Sequence, residues 1–138
     1  MKKLTLLLLI AVSTLTACKK DEAERNTDRL IGRWTVESLA YIEYINDQEK
    51  ERDQYSNLGL IWEFRKDGTA TVNTDGEDVE VTWTATDKNL QLGIADGSKL
   101  DFAIISLSKN NLHLSIENDL EVRNGITYKE IVELKLRK

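Results

Sequence analysis

One cysteine, one histidine, three tryptophans and 24 carboxylates are the residues from which chemistry could be built in this 138-residue chain. Cys18 lies between an apolar run, Leu4 to Val12 broken only by Thr5, and the charged stretch Lys19-Lys20-Asp21-Glu22. It has no partner for a disulfide, so the fold must hold by its core alone. His113 alternates with Leu112 and Leu114 and should therefore point outward as a surface side chain. A zinc site needs several His or Cys ligands, and the chain cannot supply them. A Ser-His-Asp triad would have to use His113, and there is neither a Gly-x-Ser-x-Gly elbow nor a phosphate loop. The acids gather at Glu43, Asp47, Glu49, Glu51 and Asp53, and again at Asp75, Glu77, Asp78 and Glu80. Neither group has the calcium-loop spacing, and no spacing singles out a carboxylate pair for glycoside chemistry. Both groups read as solvated faces. The expectation is a protein with no catalytic residues, no metal and no cofactor, and not an enzyme. The tryptophans remain, either as filling for a core or as the lining of a cavity.

The cysteine is best read through its flanks. Lys2 and Lys3 precede the apolar run, and Ser13, Thr14, Thr16 and Ala17 follow it. That order is a secretory signal. A spanning helix needs about 20 apolar residues, roughly twice what is here. The quartet Leu15-Thr16-Ala17-Cys18 resembles the lipobox of bacterial lipoproteins. The resemblance implies that residues 1–17 are a cleaved signal peptide and that the Cys18 sulfur takes a diacylglycerol. Cys18 is then the acylated first residue of a lipid-anchored tether over residues 18–29. The alternative is a plain secretory signal with an unused cysteine. Several acyl chains bind a membrane durably where one binds only marginally, so the expected partner is a membrane, through the anchor. Lys19-Lys20-Asp21-Glu22 is either a solvated spacer or an export tag. In the second reading it resembles the signal that passes some Gram-negative lipoproteins to the outer face. The expected location is the outer membrane, with exposure at the cell surface under the export-tag reading.

Residues 18–138 would carry 17 basic and 24 acidic residues, a net charge of 17 − 24 = −7 against 19 − 24 = −5 for the whole chain. An acidic body argues against nucleic acid as a partner. Its length suits one domain with a real core. No 20–50-residue repeat is visible. Residues 19–26 are polar, and Thr27 could cap a short helical turn through Ile31. From Gly32 onward, period-2 alternation dominates. Trp34, Val36, Ser38, Ala40, Ile42 and Tyr44 would share one face of a first strand. Leu60, Trp62 and Phe64 mark a second, Ala70 and Val72 a third, and Val79, Val81, Trp83 and Ala85 a fourth. Leu90 to Ile94, Leu100 to Ile104 and Leu112 to Ile116 mark three more. Tyr128, Val132, Leu134 and Leu136 mark the eighth, with Glu130 breaking its pattern. Asp67-Gly68, Asp75-Gly76, Asp96-Gly97 and Asn124-Gly125 read as hairpin turns, which need positive φ. The stretch NDQEKERDQYSN, 46–57, is polar almost all round and reads as a loop with at most a turn or two of helix. Eight strands with one dry and one wet face and short links predict an all-β, antiparallel up-and-down barrel, which leaves no exposed edge.

Gly32-Arg33-Trp34, opening the first strand after a short helical turn, resembles the Gly-x-Trp signature of lipocalins. Trp62-Glu63-Phe64-Arg65-Lys66-Asp67-Gly68-Thr69 is similar to the second hairpin of lipocalin-like bacterial lipoproteins. The resemblance covers about residues 30–137, with the barrel domain at 30–138. It departs from the family at Ser108-Lys109-Asn110, where lipocalins carry a Thr-Asp-Tyr-like loop. Lipocalins also place an arginine over the signature tryptophan. Arg137 is the nearest candidate, but it shares a face with Lys135 and Glu133 and is not assigned that role. The resemblance implies a small apolar or amphipathic ligand at the barrel mouth, lined by Trp34, Trp62, Phe64, Trp83 and Phe102. Of these, Trp34 lies beside Gly32 and is expected to close one end of the barrel, with the ligand entering at the other, beneath 46–57. The alternative is an interaction scaffold with a filled barrel, contacting an envelope protein through that 46–57 loop.

Overall fold

The computed structural model describes residues 21–138. Residues 1–20, which include the expected signal peptide, Cys18 and Lys19-Lys20, lie outside the described residues. Asp21 opens the fold as a helix cap: its carboxylate accepts from the Glu24 backbone N–H at 2.8 Å, satisfying a donor that the first turn leaves free. Helix α1 (Glu22–Leu30) therefore starts well before Thr27. Thr27 instead turns its hydroxyl back to the Ala23 carbonyl, inside the helix.

Nine strands follow among the described residues: β1 (Gly32–Ile45), β2 (Gln48–Ser56), β3 (Ile61–Phe64), β4 (Thr69–Thr74), β5 (Glu77–Ala85), β6 (Asn89–Gly93), β7 (Lys99–Leu107), β8 (Asn111–Arg123) and β9 (Ile126–Arg137). Every pairing is antiparallel between neighbours, and β1 pairs with β9 to close a barrel of eight, with β2 as an extra strand. The expected barrel is the observed one. The 46–57 segment is not. Asn46 and Asp47 both take positive φ, 49° and 60°, as a two-residue hairpin turn requires and as Asn and Asp tolerate. The chain then returns as β2, paired with β1 from Ser38↔Ser56 to Ile45↔Gln48. Every residue of β2 is exposed, so no alternation marks it in the sequence.

A second departure concerns the face of β1. The ladder with β9 slips between Val36 and Ser38, a β-bulge that places one extra residue against its partner. Side chains past the bulge change sides. Trp34, Val36, Leu39 and Tyr41 face inward, where Leu39 opposes Leu134 and Tyr41 opposes Val132. Ser38, Ala40, Ile42 and Tyr44, expected on the inner face, lie outside. Ile42 is nonetheless fully buried. Arg52 and Ile131 lie opposite it, and Arg52 reaches on to Glu49 at 2.8 Å and Glu133 at 3.5 Å. A long cationic stem covering an apolar side chain while its head stays wet is ordinary for arginine.

The barrel runs out of partners at its upper end. β4 and β5 turn at Asp75-Gly76, and β6 and β7 turn near Gly97. β1, β2, β8 and β9 continue past those turns as a four-stranded arm, with β8 pairing β9 as far as Arg123↔Ile126.

Candidate functional site

The lower end is shut. Leu30 and Trp34 are fully buried. The Trp34 indole N–H donates to the Leu30 carbonyl at 2.7 Å, so its one polar atom keeps a partner out of water. Gly32 takes φ +120°, and a Cβ there would stand 3.4 Å from the Lys138 side chain. The glycine of Gly-x-Trp thus allows a backbone conformation that L side chains rarely adopt and a close approach at once. Lys138 then plays the part for which Arg137 was considered. Its ammonium sits 4.7 Å from the Trp34 ring centroid and donates to the carbonyls of Arg29 at 2.6 Å and Ile31 at 2.7 Å. Burial pushes the Lys138 pKa down. Arg137 instead points outward toward Glu37. Asn26, the one buried polar residue of the helix, donates to the carbonyls of Thr86 and Asp87 at 3.1 and 3.0 Å. That pins α1 beneath the β5–β6 turn.

Above this floor an aromatic ladder climbs the barrel. Trp83 meets Phe64 edge-on at 5.3 Å, Phe64 meets Trp62 at 6.3 Å, and Trp62 meets Phe102 at 6.1 Å. Edge-to-face contact at these separations is the favoured aromatic geometry. The Trp83 indole donates to the carbonyls of Arg65 and Thr69. Four of the five candidate aromatics are therefore in contact, and they divide by height. Phe64 and Trp83 belong to the packed lower half, with Trp34 on the floor. Trp62 and Phe102 reach the base of a cavity.

That cavity measures about 420 Å³ and opens at the end away from Trp34. β1 lines it with Val36, Leu39 and Tyr41, and β9 with Val132 and Leu134. Leu58 and Leu60 come from the link after β2, where Asn57 and Gly59 hold positive φ. Leu92, Leu100 and Ile116 complete the apolar wall, and Asn73, Asp75 and Asn118 stand at the polar rim. The volume falls within the roughly 300–1,000 Å³ usual for small-molecule sites, as does a mostly apolar wall with few polar groups. Leu39, Tyr41 and Leu58 are lining residues that sequence reading placed on no inner face, whereas Leu60 and Val132 were read as inward-facing but not as cavity lining. The bulge in β1 hid Leu39, and the link hid Leu58.

His113 lies on the outer face by register, but its side chain is only 23% exposed and its Nε2 is buried. Its Nε2 lies 3.4 Å from a Glu133 carboxylate oxygen, close enough for an ion pair when the imidazole is protonated but not aligned as a hydrogen bond. Among the described residues no group of three His, Cys, Asp or Glu side chains could hold a metal ion. No helix among them is long and apolar enough to cross a membrane.

A closed antiparallel barrel, plugged at one end by a helix and hollow and apolar at the other, has the form of a binding barrel. Residues 30–114 match the model of the lipocalin-like domain. The match covers more than half of the chain, and the protein belongs to that family. It begins at Leu30 beneath Trp34 and ends at Leu114, so β9 and the upper part of β8 lie beyond it. No curated protein and no solved structure matches the chain.

Proposed function

We propose that the protein binds a small apolar or amphipathic molecule in the upper half of its barrel and is not an enzyme. The observation that carries this is the 420 Å³ apolar cavity above the aromatic ladder. It favours binding over a filled interaction scaffold, whose upper half would be packed like the lower. A neutral naphthylamine dye tests the reading. It should bind saturably at one site and change the tryptophan emission, and the change should shrink in Trp62→Phe. Leu60→Trp, filling the cavity from its half-buried rim, should abolish uptake while keeping a cooperative urea transition. Dye that binds the filled variant as well as wild type would refute the cavity as the site.

The protein is also proposed to be an outer-membrane lipoprotein, acylated on Cys18. The support is the lipobox-like quartet after an apolar run. At most about 3.6 Å per residue separates successive positions of an extended chain, so Cys18 would stand no more than roughly 14 Å from Glu22. Because α1 is the floor of the barrel, the cavity mouth would then open away from the membrane that holds the anchor. Cys18→Ala should lose fatty-acid label and leave the membrane fraction. Label retained by the variant would sink this part.

A further inference from the structure

We propose that the ligand of this cavity is a cationic amphiphile, a single apolar tail bearing a protonated amine or quaternary ammonium head. The proposal rests on the reading that the cavity takes a ligand, and it specifies that ligand's charge. It starts from what stands over the mouth. Along the arm, the inner face of the barrel continues upward. Cross-strand partners point to the same side of a sheet, so the register gives the content of each level directly. Leu39 opposes Leu134, which opposes Leu114. One level up, Tyr41 opposes Val132, which opposes Ile116. All of these except Leu114 are cavity wall.

The next level is a row of four carboxylates. Glu51 opposes Glu43, Glu43 opposes Glu130, and Glu130 opposes Asp119. A second hollow, of about 200 Å³, lies over this face, and four carboxylates, Glu43, Asp119, Glu121 and Glu130, outnumber two cations, Arg123 and Lys129, in its wall. Two residues of strand separate the row from the cavity wall, from Tyr41 to Glu43 and from Val132 to Glu130, or about 7 Å at the usual rise. An apolar hollow and an acidic hollow thus adjoin along three strands.

Like charges directly opposite each other destabilise a sheet, and here three such pairings run consecutively. The positions flanking the row on the same face bring no relief: Tyr41, Ile45, Asp53 and Tyr128 carry no positive charge. Arg123, higher on the arm, is already bound to Glu121. Arg52 and Lys129 alternate onto the opposite face, where they pair with Glu49 and Asp47, and Lys50, at the bulge beside Glu43, donates to the Gln48 side chain at 3.2 Å. A cationic head supplies the missing charge, and the half-exposed ring of Tyr41 offers a face that attracts such a head, as the Tyr128 ring already does for Arg123 at 5.9 Å. An anionic amphiphile, with the same tail, would meet the row head-on.

The test compares three probes with the same twelve-carbon tail, each below its micelle concentration: dodecyltrimethylammonium, dodecyl maltoside and dodecyl sulfate. Calorimetric titration of residues 21–138 at low salt should give the cationic probe an affinity about tenfold above the neutral one, with the anionic probe weakest. The preference should fade in about 1 M salt, where the screening length drops to roughly 3 Å. In the double variant Glu43→Gln with Glu130→Gln, it should shrink to about twofold while the neutral probe binds as before. Glu24→Gln with Glu63→Gln removes the same charge elsewhere and should leave the preference intact. Equal affinity for all three probes, or a preference that survives in the Glu43/Glu130 variant, would overturn the charge assignment and leave the cavity standing. Failure of every probe to bind would overturn the cavity reading itself. The two failures are therefore distinct.

Discussion

The two ends of the barrel treat polar groups in opposite ways. At the floor, the indole of Trp34, the amide of Asn26 and the ammonium of Lys138 each leave water only with partners: the Leu30 carbonyl, those of Thr86 and Asp87, and those of Arg29 and Ile31. On the arm, by contrast, Glu51, Glu43, Glu130 and Asp119 stand side by side with no cation between them. Buried polar groups must be satisfied or the fold loses stability, so the floor is built for stability. Surface like-charge pairings cost little each. Under the proposed function, folding energy and recognition are separated by height along one barrel axis.

The contrast is broken most sharply at Trp34. Trp34→Ala removes the largest fully buried side chain and leaves a void beneath the ladder. Urea unfolding should show a loss of about 3–5 kcal/mol, as for other large core truncations. A loss under about 1 kcal/mol, the range of surface changes, would place Trp34 outside the core.

Asn26→Ala comes next. It leaves the Thr86 and Asp87 carbonyls without their side-chain donor and unpins α1 from the β5–β6 turn. A stability loss of about 1–3 kcal/mol is expected, with amide exchange in α1 rising more than in the barrel. Uniform protection in α1 would show that the helix is held by Leu30 alone.

On the arm the sign reverses. Glu130→Gln takes one charge from the middle of the row and relieves two like-charge pairings. It should stabilise the protein by about 0.2–1 kcal/mol at low salt, and the gain should vanish as salt rises. Destabilisation at low salt would mean that the Asn118 amide bound to Glu130 outweighs the repulsion.

How much of this was legible beforehand follows the same division. In β3 through β6, and in β7 as far as the bulge after Ile104, a period of two points Trp62, Phe64, Val72, Trp83, Leu92 and Phe102 inward, and the sequence reads as it folds. The floor was partly legible, because Gly32-Arg33-Trp34 carries a local constraint. Lys138 was not, since a terminal lysine carries no periodic signal and its partners lie far back in the chain at Arg29 and Ile31. The arm was illegible for three separate reasons. The bulge after Val36 shifts the phase of β1 with no residue type to announce it. β2 is wet on both faces, so its pairing rests on backbone ladders that leave no pattern in side chains. Glu130, which breaks the alternation of the last strand, looks like an error in the pattern until the register sets it beside Glu43 and Asp119.

The smallest expected effect compares a turn from each end. Asp67, in the lower β3–β4 turn, accepts from the Thr69 hydroxyl and backbone N–H at 2.7 and 2.9 Å. Asp96, in the upper β6–β7 turn, accepts from Ser98 in the same way at 2.6 and 2.8 Å. These bonds hold both carboxyls below the usual aspartate range, the hydroxyl bond contributing most in each case. A depressed folded pKa means that the unfolded chain binds the proton more readily. The stabilisation is therefore present in full above the unfolded value near 3.9 and is lost as pH falls through the folded one. Asp67→Asn and Asp96→Asn should each flatten the acid side of the stability curve slightly and leave neutral stability close to that of wild type. Carbon-detected NMR titration of the side-chain carboxyls gives the direct measure, and both should still titrate below free aspartate. If only Asp67 did so, the upper turn would be open in solution. The rigid frame would then end below the β6–β7 turn, and part of the cavity rim would move with the ligand.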